Sequence, residues 1–484
     1  MSDYVITGII ILIAIIQLWT AVRSIPLGVA FYISVAGLNY LSVWLWSTWT
    51  LDRICGVILI LVAFRTRRRL GKRQLGKELT PLLLYGIAIT LLGMLVWPYD
   101  SFVGQSIAYT TLRGPVQILN WIIMLGVARV IADALRTPED LRLIRRFACV
   151  TALTMCLYGI YQFYAIGAGL PTTGIRRPAQ GITSEESGEQ LSSINSGNVS
   201  MARPGALVGE PKSLGGLCVF WLALLGSTLL DRNVTNQKAT KKYLAILPLI
   251  AFTLFLTAST SAWAGAVFGA LLFLFMAPRF GLLRNAQMVI LGVTILTFVV
   301  GAAYFVLPKE QSFVSEINTM MEERSTQRLT AENAVGDMPE VAAISVLKHN
   351  PLMLITGAGL GGISFYISKE IGVSSASILA PNNGILYRVC ETGLIGLVLL
   401  VLALRRKIGA LLSESSSAHA IQTSFIGIVV LGQCLIFGSP FLFSVALGFI
   451  LGRRIVTKPG VRSSAHKLNS RDFLTSAHAY SRPR

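Results

Sequence analysis

Apolar runs close to the length of a bilayer crossing recur from the first residues of this chain almost to its last. The hydrocarbon core of a membrane is about 30 Å thick, so one helical crossing takes about 20 apolar residues. Such runs cover 4–21, 25–46, 51–64, 81–97, 116–132, 147–168, 214–230, 244–256, 262–276, 288–306, 385–404, 421–436 and 441–451. In lipid every backbone N–H and C=O must find its partner within the protein, which favours helices over open sheets. The expected fold is an all-α polytopic membrane protein of about 12–13 transmembrane helices, one or two of the shorter runs being re-entrant.

Composition agrees. Of the 484 residues 53% are hydrophobic and 13% charged, against roughly a quarter charged in soluble proteins. The net charge of +19 would suggest nucleic acid as a partner of a soluble protein. Here the positive charge sits in short segments between spans, the pattern that orients membrane proteins, and no nucleic acid is expected. Arg65, Arg67, Arg68, Arg69, Lys72, Arg73 and Lys77 form one block. The segments 136–146, 232–242, 279–284 and 405–407 are basic as well. With these in the cytoplasm, two large polar loops fall on the opposite face. The expected divisions are N-terminal helices 1–169, a first loop 170–213, central helices 214–307, a second loop 308–384, C-terminal helices 385–452, and a basic, disordered cytoplasmic tail 453–484. The first run has no small-residue cleavage site behind it and reads as a retained helix.

The two loops and the helix after the second hold the residues able to do chemistry. The first loop ends Arg203-Pro204-Gly205 and then Gly209-Glu210-Pro211 ahead of an apolar run. Pro211 suits the first turn of a helix, where a missing N–H costs nothing. Glu210 then stands at the helix start, either complementing the dipole or acting as a general base at the mouth of a site. Arg176, Arg177 and Arg203 in this loop, with Arg324 and Arg328 in the other, are fork-shaped donors suited to phosphate; the alternative is plain solvation. His349 follows an expected helix 339–348, as a base or as a cap. The glycines 357, 359, 361 and 362 have no βαβ unit around them, so a tight turn with close backbone packing accounts for them better than a nucleotide loop. Arg388 and Glu391 lie three residues apart at the start of the closing helix, as functional ionisable groups within a span or as a structural pair. The six cysteines form no CxxC and the histidines 349, 419, 466 and 478 no HExxH. Neither a metal nor any other cofactor is expected.

Taken together these residues resemble the O-antigen polymerase and O-antigen ligase superfamily of bacterial envelope proteins. The resemblance runs from about 141 to 452 and rests on four features: Arg203-Pro-Gly with Gly209-Glu210-Pro211; Thr257-Ala-Ser-Thr-Ser-Ala-Trp263; Arg328 leading to His349-Asn-Pro-Leu and Gly357-Ala-Gly; and Asn382-Asn383 leading to Glu391-Thr-Gly-Leu-Ile-Gly-Leu397. It implies a metal-independent, inverting glycosyltransferase of the inner membrane. Its donor would be a glycan on undecaprenyl diphosphate, presented in the periplasm, with a chain-length regulator and a flippase as partners beside the bilayer itself. Arg203 and Arg328 match arginines that bind the diphosphate, Glu210 matches the acidic position after the first, and Arg176 and Arg177 would hold the glycan. The ligases carry a histidine directly before an asparagine ahead of the closing helix; here the pair is Asn382-Asn383. An amide cannot act as a base at neutral pH, which favours a polymerase, with Glu210 or His349 assisting deprotonation. The rival readings are a ligase and a transporter of lipid-linked sugars.

Overall fold

The computed structural model describes residues 3–38, 41–44, 48–70, 77–99, 107–168, 170–172, 193–196, 199–230, 237–279, 338–371, 380–409 and 417–452. Its helices are α1 (Asp3–Arg23), α2 (Ile25–Val35), α3 (Leu51–Leu70), α4 (Thr80–Met94), α5 (Ile107–Ala134), α6 (Pro138–Gly167), α7 (Pro211–Gly226), α8 (Gln237–Leu256), α9 (Thr260–Arg279), α10 (Met338–His349), α11 (Pro351–Thr356), α12 (Ile363–Ile371), α13 (Gly384–Gly409), α14 (Ala418–Ile436) and α15 (Pro440–Leu451). Two small antiparallel pairs accompany them, β1 (Ser42–Trp44) with β2 (Thr48–Thr50) and β3 (Ser193–Ser196) with β4 (Val199–Ala202). Among the described residues eight helices are long and apolar enough to cross a membrane, and three more are apolar but shorter. The protein is a multi-pass helical membrane protein.

Most of the apolar runs are helical where described; 288–306 lies outside the described residues. The run 25–46 departs from expectation: helix α2 stops at Val35 and the chain turns into β1 and β2. Hydrophobicity does not distinguish helix from strand in a short run. The segment Ser42-Val43-Trp44 and its partner Thr48-Trp49-Thr50 are rich in the β-branched and aromatic residues that suit strands.

Helix ends follow the local sequence. Thr137 and Asp140 form a reciprocal capping box at the start of α6, with Pro138 in the first turn. Ser417 caps α14, and Ser439 caps α15 ahead of Pro440. Buried residues make up 78% of the span in α7 but only 28% in α1 and α4, so α7 is central and the other two are peripheral. Helices α8, α9 and α14 pack against it, and α15 packs tightly on both α14 and α5. They approach through small residues, as helices in lipid do: a methyl on Gly448 would lie 2.6 Å from Ile131, and one on Gly427 2.9 Å from the backbone nitrogen of Ile450.

Polar contacts define the two ends of the bundle. At one, Arg145 of α6 donates to the Leu224 carbonyl (3.1 Å), Ser227 Oγ (2.8 Å) and Gln422 Oε1 (3.0 Å). His419 of α14 lies 3.4 Å from the Leu135 carbonyl at the same end. The segments 136–146 and 405–407 adjoin this basic end. At the other end, turns join α8 to α9 and α14 to α15, and the segment ahead of α7 folds in.

Overpacking a tight helix crossing costs about 1–3 kcal/mol. Gly448→Leu should therefore lower the unfolding midpoint in detergent, measured by circular dichroism. Leu394→Ala, at a residue 45% exposed on α13, should leave it within about 0.5 kcal/mol of the parent.

Candidate functional site

Two constructions occupy the end of the bundle away from the basic segments. The first is the turn that leads into α7. Arg203 is buried; its Nε donates to the Thr257 carbonyl (2.9 Å) and an Nη to the Ala258 carbonyl (3.3 Å), at the turn between α8 and α9. Gln162 of α6 accepts from the backbone N–H groups of Gly205 (2.9 Å) and Ala206 (2.8 Å). Ala206 and Ala258 have φ of 45° and 46°, and among the described residues they are the non-glycines with positive φ. Left-handed alanine costs energy and persists only where its surroundings hold it, a condition frequent at functional sites. Both strained peptides here are held by a buried side chain.

This scaffold delivers Glu210. Pro211 takes the first turn of α7 as expected, and Glu210 sits in extended conformation at the N-cap, but its carboxylate does not cap the helix. Lys212, two residues on, places its ammonium 5.9 Å from the Phe437 ring, a cation–π distance. Beyond Phe437, Gly438 N donates to the Asn382 carbonyl (3.3 Å), and Asn382 N donates to Glu340 Oε1 (2.7 Å). Asn383 caps α13 through the Leu386 N–H (3.0 Å). Thus segments some 170 positions apart in the chain, at 203–212 and 380–384, are joined by one string of contacts.

The second construction is a broken helix. Inside α13, Gly393 has φ 64° and ψ −175°, so the helix stops and restarts there. The break frees the carbonyls of Cys390 and Glu391, and the glycine-rich turn between α11 and α12 satisfies them: Ala358 N donates to Cys390 (2.8 Å) and Gly359 N to Glu391 (3.0 Å). Leu360 N donates to Thr90 Oγ1 (2.9 Å) and Gly361 N to Glu391 Oε1 (3.2 Å). Gly357, Gly359 and Gly361 all have positive φ. The backbone donors of this turn are consumed internally, in accord with a packed turn rather than a phosphate cradle. A methyl on Gly357 would run into the Glu391 carbonyl, and one on Gly393 into that of Ile355.

Charged side chains close the knot. Arg388 Nη1 meets Glu391 Oε2 at 3.2 Å, both side chains nearly inaccessible. The Arg388 guanidinium is enclosed by Phe443 (4.5 Å), Trp121 (5.4 Å) and Tyr387 (5.5 Å). Arg113 of α5, also buried, donates to the Gly361 carbonyl (2.9 Å) and Ser364 Oγ (2.8 Å). Trp97 donates its indole N–H to the Ala358 carbonyl (2.7 Å). Arg388 and Glu391 are therefore brought together as an internal pair. His349 stands elsewhere, in the exposed last turn of α10 with Nδ1 3.9 Å from Glu370. Arg176, Arg177, Arg324 and Arg328 lie outside the described residues.

Three residues of these constructions escape a reading by motif. Arg113 was signalled only as a lone arginine beside an apolar run, Lys212 by its place in the first turn after Glu210, and Gln162 by nothing local. Among the described residues no group of three His, Cys, Asp or Glu could hold a metal ion. Comparison with protein-family models, curated proteins and solved structures returns no match for this chain.

Removing one member of a buried ion pair costs about 3–5 kcal/mol, whereas replacing both by apolar residues is often far cheaper. Glu391→Ala should destabilise the detergent-solubilised protein by that amount. The double variant Arg388→Met/Glu391→Leu should recover much of the loss, giving a coupling energy of about 1–3 kcal/mol in a double-mutant cycle of unfolding.

Proposed function

We propose that the chain is an inner-membrane polysaccharide polymerase that joins oligosaccharide units carried on undecaprenyl diphosphate. What carries the reading is the meeting of the strained Arg203–Lys212 segment with the Asn382–Asn383 turn at the end of the bundle away from the basic loops. With the basic end in the cytoplasm, that end faces the periplasm of a bacterial cell. A lipid-linked donor would present its diphosphate there, at the depth of α7's first turn.

The proposed roles follow the geometry. Arg203 anchors the loop through Thr257 and Ala258, so its contribution is to hold Glu210 in place. Glu210, whose carboxylate leaves the helix uncapped, takes the proton of the acceptor hydroxyl as that oxygen attacks the anomeric carbon. The bond from that carbon to the diphosphate breaks, and the leaving diphosphate is stabilised by cations. Lys212 supplies one, and Arg328, Arg176 and Arg177 are the further candidates. Asn383 caps α13, and Asn382, in the position where the ligases carry their histidine, is an amide that cannot act as a base at neutral pH, which favours polymerase over ligase.

A second reading is carried by α13. A broken helix with buried arginines and a carboxylate at the break is a device of transporters, and a carrier of lipid-linked sugars would use it.

The purified protein in liposomes, given undecaprenyl-diphosphate-linked repeat units, should yield a ladder of products spaced by one unit. Glu210→Gln should cut the yield about 100-fold or more, the range for loss of a general base. Lys212→Ala and Arg328→Ala should lower it as well. Glycan on an added acceptor without a ladder would make the protein a ligase; glycan crossing the bilayer with no new bond would make it a transporter.

A further inference from the structure

We infer that α11, the glycine turn and α12 form a re-entrant hairpin that dips into the membrane, with the outer face of α11 against lipid acyl chains. Two independent rulers give its depth. The Gly359 N–H reaches the Glu391 carbonyl just before the break, and the unbroken part of α13 beyond it, from Leu394 to Arg405, is about 17 Å long at about 1.5 Å per residue. The adjacent Leu360 N–H reaches Thr90, about 15 Å along α4 from Thr80 by the same rise and about 20 Å from Lys77 once the 3-10 turn Lys77–Leu79 is added at about 2 Å per residue. Both starting points adjoin basic segments at one end of the bundle. The tip therefore sits about 10 Å inside the opposite surface of a core about 30 Å thick.

The open end of the hairpin matches that surface. Helix α11 has six residues, a length of about 9 Å, which brings its start back to the boundary. Lys348 and His349 stand there, and Lys369 and Glu370 stand at the end of α12; all four are exposed. Ser345 donates to Glu370 Oε1 (2.6 Å), and His349 Nδ1 is 3.9 Å from the same oxygen, so the two arms meet at one polar corner. Charged groups thus mark the headgroup level and glycine marks the depth.

Between corner and tip, α11 is apolar on the outside. Leu352 is 71% exposed and Ile355 48%, with Leu354 at 37%, while Met353 is turned into the protein. Leu91 and Leu92 of α4 and Leu394 and Val398 of α13 are exposed as well, and α11 is tied to both helices: Tyr85 of α4 donates to the Thr356 carbonyl (2.7 Å), and a methyl on Gly393 of α13 would touch Ile355. Non-helical backbone at this depth is tolerated because the turn's amides bond protein carbonyls and hydroxyls. The occupant of the outer face is the acyl region of one leaflet, and this holds whatever reaction the protein performs.

The test places the photoreactive residue p-benzoylphenylalanine at Leu352 and at Ile355 in the full-length protein, one site at a time. Each variant is irradiated in liposomes of phosphatidylethanolamine and phosphatidylglycerol and read by intact mass. The same residue at Leu394 gives the reference yield. Phospholipid adducts at both α11 sites, within about threefold of the Leu394 yield, are expected. If Leu394 gives an adduct and Leu352 and Ile355 give none, or give cross-linked dimers instead, the hairpin does not lie in lipid and the inference fails.

Discussion

A helix that breaks within hydrocarbon releases carbonyl groups into a solvent that cannot receive them. Each such group left unpaired costs several kilocalories per mole, so the break in α13 at Gly393 exists only because another piece of backbone arrives to answer it. The amides of Ala358 and Gly359 do so, and much of the surrounding architecture follows from the need to bring them there. Gly357 and Gly393 give the two backbones room to touch. Arg113 holds the far side of the turn, Glu391 receives the Gly361 amide, and Arg388 neutralises Glu391 within an aromatic enclosure. Buried charge here organises backbone.

The same economy explains the other half of this end of the bundle. The turn ahead of α7 is strained at Ala206 and its receptor turn at Ala258, and each strained peptide is met by a side chain, Gln162 in one case and Arg203 in the other. A loop held this firmly can fix the position of one carboxylate, Glu210, at a helix start. Arg203, which by residue type reads as a phosphate ligand, donates from Nε and an Nη to the main-chain carbonyls of Thr257 and Ala258.

Much of this was legible from the sequence. The recurrence of apolar runs specifies a helical membrane protein, Pro211 marks a helix start, and the three-residue spacing of Arg388 and Glu391 allows their pairing. The helix 339–348 lies within the observed α10, Met338–His349. What was not legible depends on distant partners. Glu391-Thr-Gly393 in an apolar run resembles any glycine in a transmembrane helix until the turn at 357–361 is seen against it. Residues 338–371 read as part of one polar loop because the composition of α10 and α12 is mixed; their burial comes from α4, α5 and α13, which no local pattern reveals. The strands at Ser42–Thr50 were hidden for a related reason, since Trp and Val serve a helix and a strand alike in a short run.

The pinning of the glycine turn to the broken helix is the claim on which the rest depends, and amide hydrogen exchange tests it most directly. In the intact protein in nanodiscs, the amides of Ala358, Gly359 and Gly361 should exchange as slowly as those at the centre of α7, because their opening requires α13 to lose its partners. Exchange of these amides within seconds, at the rate of an exposed loop, would contradict the account, since the carbonyls at the break would then have no lasting donors.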